Sequence, residues 1–238
     1  MYNLSVVIPA YNEEKKISKD IEAVFEYFKE NSINGELIIV NDGSKDQTYN
    51  IANNFLKKFQ SLKIINYEKN RGKGYAVKTG MLQATREYIL LADAGLCVPY
   101  SCVNLGLELL KNGNDIALGS RRTSDNKAKI LIKQPLYRIW GSKLFKFLLR
   151  LFNLIPEGIE DTQCGFKLFK KEAAHNLFTE LFTDRMMWDI EMLRRAKKEK
   201  YKMAVFPVIW SNDPDTRFNP ISGSFENLLQ IINIILRT

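Results

Sequence analysis

LSVVIPAYNEEKKISKDIEAVFEYF, residues 4–28, is the stretch whose reading decides the fold. It opens on a largely apolar, β-branched run and turns polar after Pro9. Its apolar residues then respace to Ile17, Ile21, Val24, Phe25 and Phe28, which share one helical face. The stretch predicts a strand, a short loop and an amphipathic helix. The unit returns downstream: ELIIVN precedes a helix carrying Ile51, Ala52 and Phe55, KIINY precedes one carrying Val77, Met81 and Ala84, and YILLA and DIALG follow. Parallel neighbours need crossover connections, and helices usually supply them. Five strands separated by helices therefore predict an α/β fold with a doubly wound, mostly parallel sheet. In such sheets ligands bind beyond the carboxyl ends of the strands, so the loops after Ile8, Asn41, Tyr67, Ala92 and Gly119 should converge on one cleft. Further on, MAVFPVIW (203–210) reads as a late strand and FENLLQIINIILR (225–237) as an amphipathic helix.

The 238 residues are 45% hydrophobic and 26% charged, and no repeat, linker or low-complexity segment divides them, so residues 1–238 read as a single domain. A net charge of +8 points to an anionic partner: nucleic acid, a phosphorylated substrate or an acidic membrane surface. Cys97, Cys102 and Cys164 are odd in number and lack zinc-ligand spacing, which argues against a disulfide framework and fits a reducing cytoplasm. The opening residues lack the basic region of a signal peptide, and no apolar stretch reaches the ~18–20 residues of a membrane-spanning helix. From Asn126 to Pro156 there is no acidic residue, while Lys127, Lys129, Lys133, Arg138, Lys143, Lys146 and Arg150 interleave with aliphatic and aromatic side chains. This segment, about 127–155, reads as one or two amphipathic helices broken near Pro135 and Gly141. It could pack on the core with a solvated basic face. The missing acids favour the other reading, a helix lying in an anionic membrane interface, which would hold the chain peripherally at the cytoplasmic face.

The loops at the expected cleft carry the polar chemistry. Asp42 ends a buried strand, where it can accept from a nucleobase N–H or a ribose hydroxyl, and Gly43-Ser44 permits a tight turn. Plain turn chemistry, with Ser44 or Asp46 capping the next helix, explains the same residues. NRGKGYAV (70–77) sets two glycines around Lys73 at a helix start, where backbone N–H groups and a cation can meet phosphate. It matches neither GxxxxGK[ST] nor GxGxxG, which argues against the P-loop and dinucleotide-binding readings. Asp93 stands at the end of the fourth strand, a usual place for a carboxylate that shares a divalent cation with phosphate oxygens.

Taken in order, LSVVIPAYNEE, VNDGSKDQT, NRGKGYAVKTGM, LLADAGLCVP, GSRR and DTQCGFKLF resemble the family 2 glycosyltransferases over nearly the whole chain. PAYNEE and NDGS are general to that family. DTQCGFKLF (161–169) is more specific and resembles the dolichyl- and polyprenyl-phosphate branch, glucosyl sooner than mannosyl. The resemblance implies a GT-A fold and a nucleotide-sugar donor, UDP-glucose ahead of GDP-mannose. It also implies transfer of a hexose, with inversion, onto a polyprenyl or dolichyl phosphate rather than a soluble glycan, and no nucleic-acid partner. Carried over by position, Pro9, Tyr11 and Glu13 would line the nucleoside pocket, Asp42 would contact the base, and Lys73 would approach the base or the diphosphate.

Asp93 matches the first aspartate of the family's Asp-Ala-Asp motif, and Gly95 stands where the second belongs. The implied cofactor is Mg²⁺ or Mn²⁺ at Asp93, in a site weakened by the missing carboxylate. Three consequences compete: transfer with a weaker metal, charge supplied instead by Lys73 and the arginines, or a nucleotide-sugar or lipid-phosphate binder of low activity. On the acceptor side, a phosphate oxygen is already an anion and needs no general base; it needs cations. Arg121 and Arg122 in GSRR, Arg138 in the basic segment and Arg217 in DPDTRF are the candidates, with Arg121 and Arg217 matching the family context more closely. Asp161 would act as a base, or orient sugar hydroxyls or an acceptor-binding arginine. Asp189 and Glu191 have helical spacing that sends one carboxylate to the cleft and one away, against a plain reading as helix-surface charge. His175 reads as packing or surface, and Cys164, without a neighbouring base, as no nucleophile.

Overall fold

In strand β1 (Asn3–Ala10), Leu4, Val6 and Ile8 pack into one apolar cluster and Val7 into another, as a strand covered on both faces requires. The computed structural model to which this strand belongs describes residues 2–122, 128–130, 154–211 and 220–238. Helix α1 (Ile17–Glu30) follows and buries Ile17, Ile21, Val24 and Phe28, while Phe25 stacks on Phe59 at 3.8 Å between ring centroids. Strand β2 (Asn34–Asn41), helix α2 (Thr48–Asn54), strand β3 (Leu62–Asn66), helix α3 (Lys73–Gln83) and strand β4 (Tyr88–Ala92) repeat the alternation. A short 3₁₀ turn (Tyr100–Cys102), helix α4 (Val103–Lys111) and strand β5 (Ile116–Ser120) complete the expected five strands.

The seven-stranded sheet has the order β3-β2-β1-β4-β7-β5-β8, where β7 is Phe166–Lys170 and β8 is Met203–Pro207. Every neighbouring pair is parallel except those of β7, which runs antiparallel between β4 and β5. The sequence reading treated FKLFK only as part of a motif and did not assign it as a strand. Its apolar residues serve both faces, Phe166 and Leu168 on one and Phe169 on the other, so it lacks the alternation of a half-exposed strand. Helices α1, α2 and α4 cover one face. Helices α3, α5 (Lys171–Thr179) and α6 (Trp188–Lys198) cover the other. A third cluster joins Leu154, Ile155, Met187 and Ile190 to Ile231 and Ile234 of helix α7 (Pro220–Arg237).

The late strand breaks in two. Pro207 ends β8 because it has no N–H to continue the ladder, and β9 (Ile209–Trp210) pairs instead with β6 (Lys129–Ile130). Extended backbone at Lys129–Ile130 therefore replaces the start of the helix expected from about 127, and the remainder of that segment through residue 153 lies outside the described residues. No helix among the described residues is long and apolar enough to cross a membrane. At the amino-terminal edge of the sheet the buried Glu36 carboxylate accepts from Ser5 Oγ at 2.7 Å, from the Thr85 backbone N–H at 2.6 Å and from Lys63 Nζ at 2.7 Å. The carboxyl-terminal edge is where the chemistry gathers.

Candidate active site at the strand ends

Parallel strands β1, β2, β3, β4 and β5 all deliver their following loops to one edge, and antiparallel β7 brings its preceding loop, residues 161–165, to the same place. The junction is direct: Ala92 pairs with Phe166, and the Asp93 N–H donates to the Gly165 carbonyl at 2.8 Å. A Cβ added at Gly165 would lie 1.9 Å from Asp93 Oδ2, so any larger residue there would force the carboxylate from its present position.

At the β1 and β2 ends two loops are laced together. Asn12 N–H donates to Ser44 Oγ at 2.9 Å, Lys45 N–H to Asn12 Oδ1 at 2.8 Å, and Glu13 N–H to Thr48 Oγ1 at 2.7 Å. Pro9 lies in β1 opposite Val40, Tyr11 is half-buried beside it, and Glu13 pairs with Lys16 at 2.7 Å. Of these three proposed nucleoside-pocket residues, Pro9 lies near the end of the strand and Tyr11 and Glu13 lie in the loop that follows it. Asp42 is buried, and its carboxylate organises the next loop: it accepts from Asn70 Nδ2 at 2.8 Å, the Arg71 N–H at 2.7 Å and the Gly72 N–H at 2.9 Å. Burial raises the Asp42 pKa although these donors oppose it.

The glycines around Lys73 have a different task from the one expected. Gly74 N–H donates to the Arg185 carbonyl and Tyr75 N–H to the Asp184 carbonyl, so these donors at the start of α3 are engaged by protein rather than open to phosphate. Cβ atoms at Gly72 and Gly74 would lie 2.4 and 2.2 Å from the carbonyl oxygens of Asp184 and Thr183. The glycines permit close packing against the 183–185 loop. The Lys73 side chain remains at the site, with Nζ 2.7 Å from Asp93 Oδ1. Burial disfavours its charge, but the Asp93 carboxylate outweighs burial and lifts its pKa, so the ammonium stays protonated.

Gly95 has φ +96° and Leu96 φ +50°, and both backbone N–H groups donate to the carboxylate of Asp20, a buried residue of α1, at 2.9–3.0 Å. Burial pushes the Asp20 pKa up to about 6 against those two bonds. The loop after Asp93 is thus pinned from α1. Asp20 escaped sequence reading because it looks like one more polar residue on the helix.

Within the field of Asp93, Arg121 and Asp161 form a bidentate pair. Arg121 Nε and Nη2 each donate to a different Asp161 oxygen at 2.7 Å, and the Arg121 N–H adds a third bond at 2.9 Å. The guanidinium also lies 5.1 Å from the Trp210 ring. Burial would raise the Asp161 pKa, but the guanidinium outweighs it and holds the carboxyl below its usual range. Such a carboxylate is a poor proton acceptor. Asp161 therefore fits the orienting alternative of the sequence reading and not the base. Arg122 is half-buried, with its backbone tied to Ser120; Arg138 and Arg217 lie outside the described residues.

Beneath these groups Lys167, 1% exposed, donates to Asp189 Oδ1 and to the Cys164 carbonyl, each at 2.6 Å. Lys73 and Asp93 both act electrostatically on Asp189, and Asp93 acts on Arg121, so the pairs share one field. Asp189 and Glu191 are both buried, which corrects the helix-surface reading. Glu191 accepts from the Phe182 and Thr183 N–H groups and pairs with Arg195 at 2.8 Å, away from Asp93. The signal for Lys167 was present in FKLFK: a lysine in register with Phe169 on a buried face must have a partner. Cys164 is buried and its thiol is pushed up to about 12, chiefly by burial, and His175 hydrogen-bonds the Ala84 carbonyl at 3.0 Å. The Cys164 thiol thus stays protonated although Asp161, Arg121, Lys167 and Asp93 all act on it.

A divalent cation finds little here. Among the described residues no three His, Cys, Asp or Glu side chains gather to hold one, and the single carboxylate at the strand-four end already has an ammonium partner. These residues do not fit a cation held by the protein.

The sequence profile of glycosyl transferase family 2 matches residues 5–178. The dolichyl-phosphate beta-glucosyltransferase of Homo sapiens is 34% identical, covering 91% of this chain and 70% of that protein. Its Dictyostelium discoideum counterpart is 31% identical over 98% of this chain and 74% of its own length. Among solved structures, glucosyl-3-phosphoglycerate synthase from Mycobacterium tuberculosis, in complex with Mn²⁺, UDP and glucosyl-3-phosphoglycerate, superposes with a TM-score of 0.71 at 18% identity, covering 99% of this chain and 79% of that one. That likeness shows a shared GT-A fold.

Proposed function

Because the chain belongs to glycosyltransferase family 2, we propose that it transfers glucose, with inversion, from UDP-glucose to the phosphate of dolichol or a related polyprenol. The donor would lie along the strand ends, with its nucleoside over Pro9, Tyr11, Glu13 and Asp42 and its diphosphate toward Lys73 and Asp93. The observation that carries the reading is the Arg121–Asp161 pair beside Asp93: a buried carboxylate presents a planar guanidinium at the cleft in a fixed orientation. A lipid phosphate is a ready nucleophile, so the protein has to aim it and needs no base. Arg121 aims, and Asp161 aims Arg121. Arg122, Arg138 and Arg217 join the acceptor side of the proposal as further cations.

Work on a lipid acceptor implies a membrane surface, and a net charge of +8 suits an anionic one, so the proposed location is peripheral at the cytoplasmic face. The test is incubation of the chain with labelled UDP-glucose or GDP-mannose and dolichyl phosphate in detergent. Lipid-linked glucose from UDP-glucose is expected; lipid-linked mannose, or glucose on a soluble glycan alone, would refute the assignment. Gly95 favours a second reading, a nucleotide-sugar binder of low turnover, whose signature is tight UDP-glucose binding without product.

A further inference from the structure

We infer that the Lys73 ammonium takes the place of a divalent cation as the counter-charge to the donor's diphosphate, so that donor binding needs no metal. This rests on the nucleotide-sugar reading above. Three observations converge on it. Lys73 Nζ sits 2.7 Å from Asp93 Oδ1, on the carboxylate that a cation shared with the donor would need. A dication at Asp93 would have to displace that ion pair and then stand beside the displaced ammonium.

The second observation is the closed position two residues on. Gly95 has no side chain, its φ of +96° disfavours any side chain, and its N–H is held by Asp20. No second carboxylate can come from this loop in this conformation. The third is the wall behind Asp93: its N–H is bonded to the Gly165 carbonyl and its carboxylate occupies the space where a Cβ at Gly165 would fall, which sets it against β7 and within reach of Lys73. Asp93 thus becomes a positioning residue for Lys73. Arg121, held by Asp161 and assigned above to the acceptor phosphate, leaves Lys73 as the cation at the diphosphate.

The test measures UDP-glucose binding to the full chain by calorimetry, once with chelator and once with Mn²⁺, and Mn²⁺ binding alone by electron paramagnetic resonance. Expected are donor affinities within about twofold of each other and no Mn²⁺ retained below about millimolar concentration. Lys73→Gln should weaken donor binding by about tenfold or more in both arms, with a melting curve to confirm folding. Binding that drops about tenfold with chelator, or Mn²⁺ held tightly by the native chain, overturns the inference and leaves the donor reading standing. No binding in either arm overturns the donor reading, and this inference with it.

Discussion

Asp161 shows how much one side chain's partner decides. Its carboxylate is committed to Arg121 through three bonds, so removing its charge should release the arginine rather than remove a base. Asp161→Asn is expected to raise the acceptor KM and lower transfer by about 10²-fold, with UDP-glucose affinity nearly unchanged and no new limb in the pH–rate profile. Loss of the acid-side limb from that profile in the variant would restore Asp161 as a proton acceptor. Two other carboxylates set opposite pH dependences. Glu36 is pushed down to about 2 from 4.5, because its hydrogen bonds to Lys63, Ser5 and Thr85 overcome the burial that opposes them. Its contribution to stability is present above pH 4.5 and is lost as pH falls toward 2, and Glu36→Gln should flatten the melting temperature across that window. Asp20 lies the other way. Burial raises it from 3.8 to about 6, so its contribution is fully present below 3.8 and is lost as pH rises through 6. Asp20→Asn keeps an acceptor for Gly95 and Leu96 and should remove the stability slope between those values; an unchanged slope would show that another group carries it.

At the scale of elements, strand β7 assembles the site. Running antiparallel between β4 and β5, it carries Lys167 under the cleft and sets Gly165 against Asp93. Gly165→Ala would drive a methyl group into the Asp93 carboxylate, so it should abolish UDP-glucose binding even where the fold survives by circular dichroism. Helix α3 makes a contrasting case. Its amino-terminal donors bond the 184–185 backbone, so Gly74→Ala is expected to cost about 1–3 kcal/mol of stability in chemical denaturation, through the clash with Thr183. A variant that unfolds normally yet binds donor poorly would mean that this helix end serves phosphate after all.

Over the whole molecule, loops from five parallel strands and one antiparallel strand share an edge, and the ion pairs Lys73–Asp93, Arg121–Asp161 and Lys167–Asp189 lie along it. With a net charge of +8, the chain should bind vesicles rich in phosphatidylserine and release them as salt rises, while neutral vesicles bind poorly; flotation assays would show the difference. The sequence alone determined the β–α alternation, the edge on which chemistry gathers, the family, and Asp42, Lys73, Asp93, Arg121 and Asp161 as the residues to watch. Those rest on local periodicity and on short motifs, which a linear reading contains. Only the tertiary structure decided who partners whom: Asp161 with Arg121, Lys167 with Asp189, Asp20 with the Gly95 loop, and the 72–74 glycines with backbone carbonyls. A charged side chain's role depends on the group that neutralises it. These partners stand from 22 residues apart, for Lys167 and Asp189, to 112, for Gly72 and Asp184, where no spacing rule reaches.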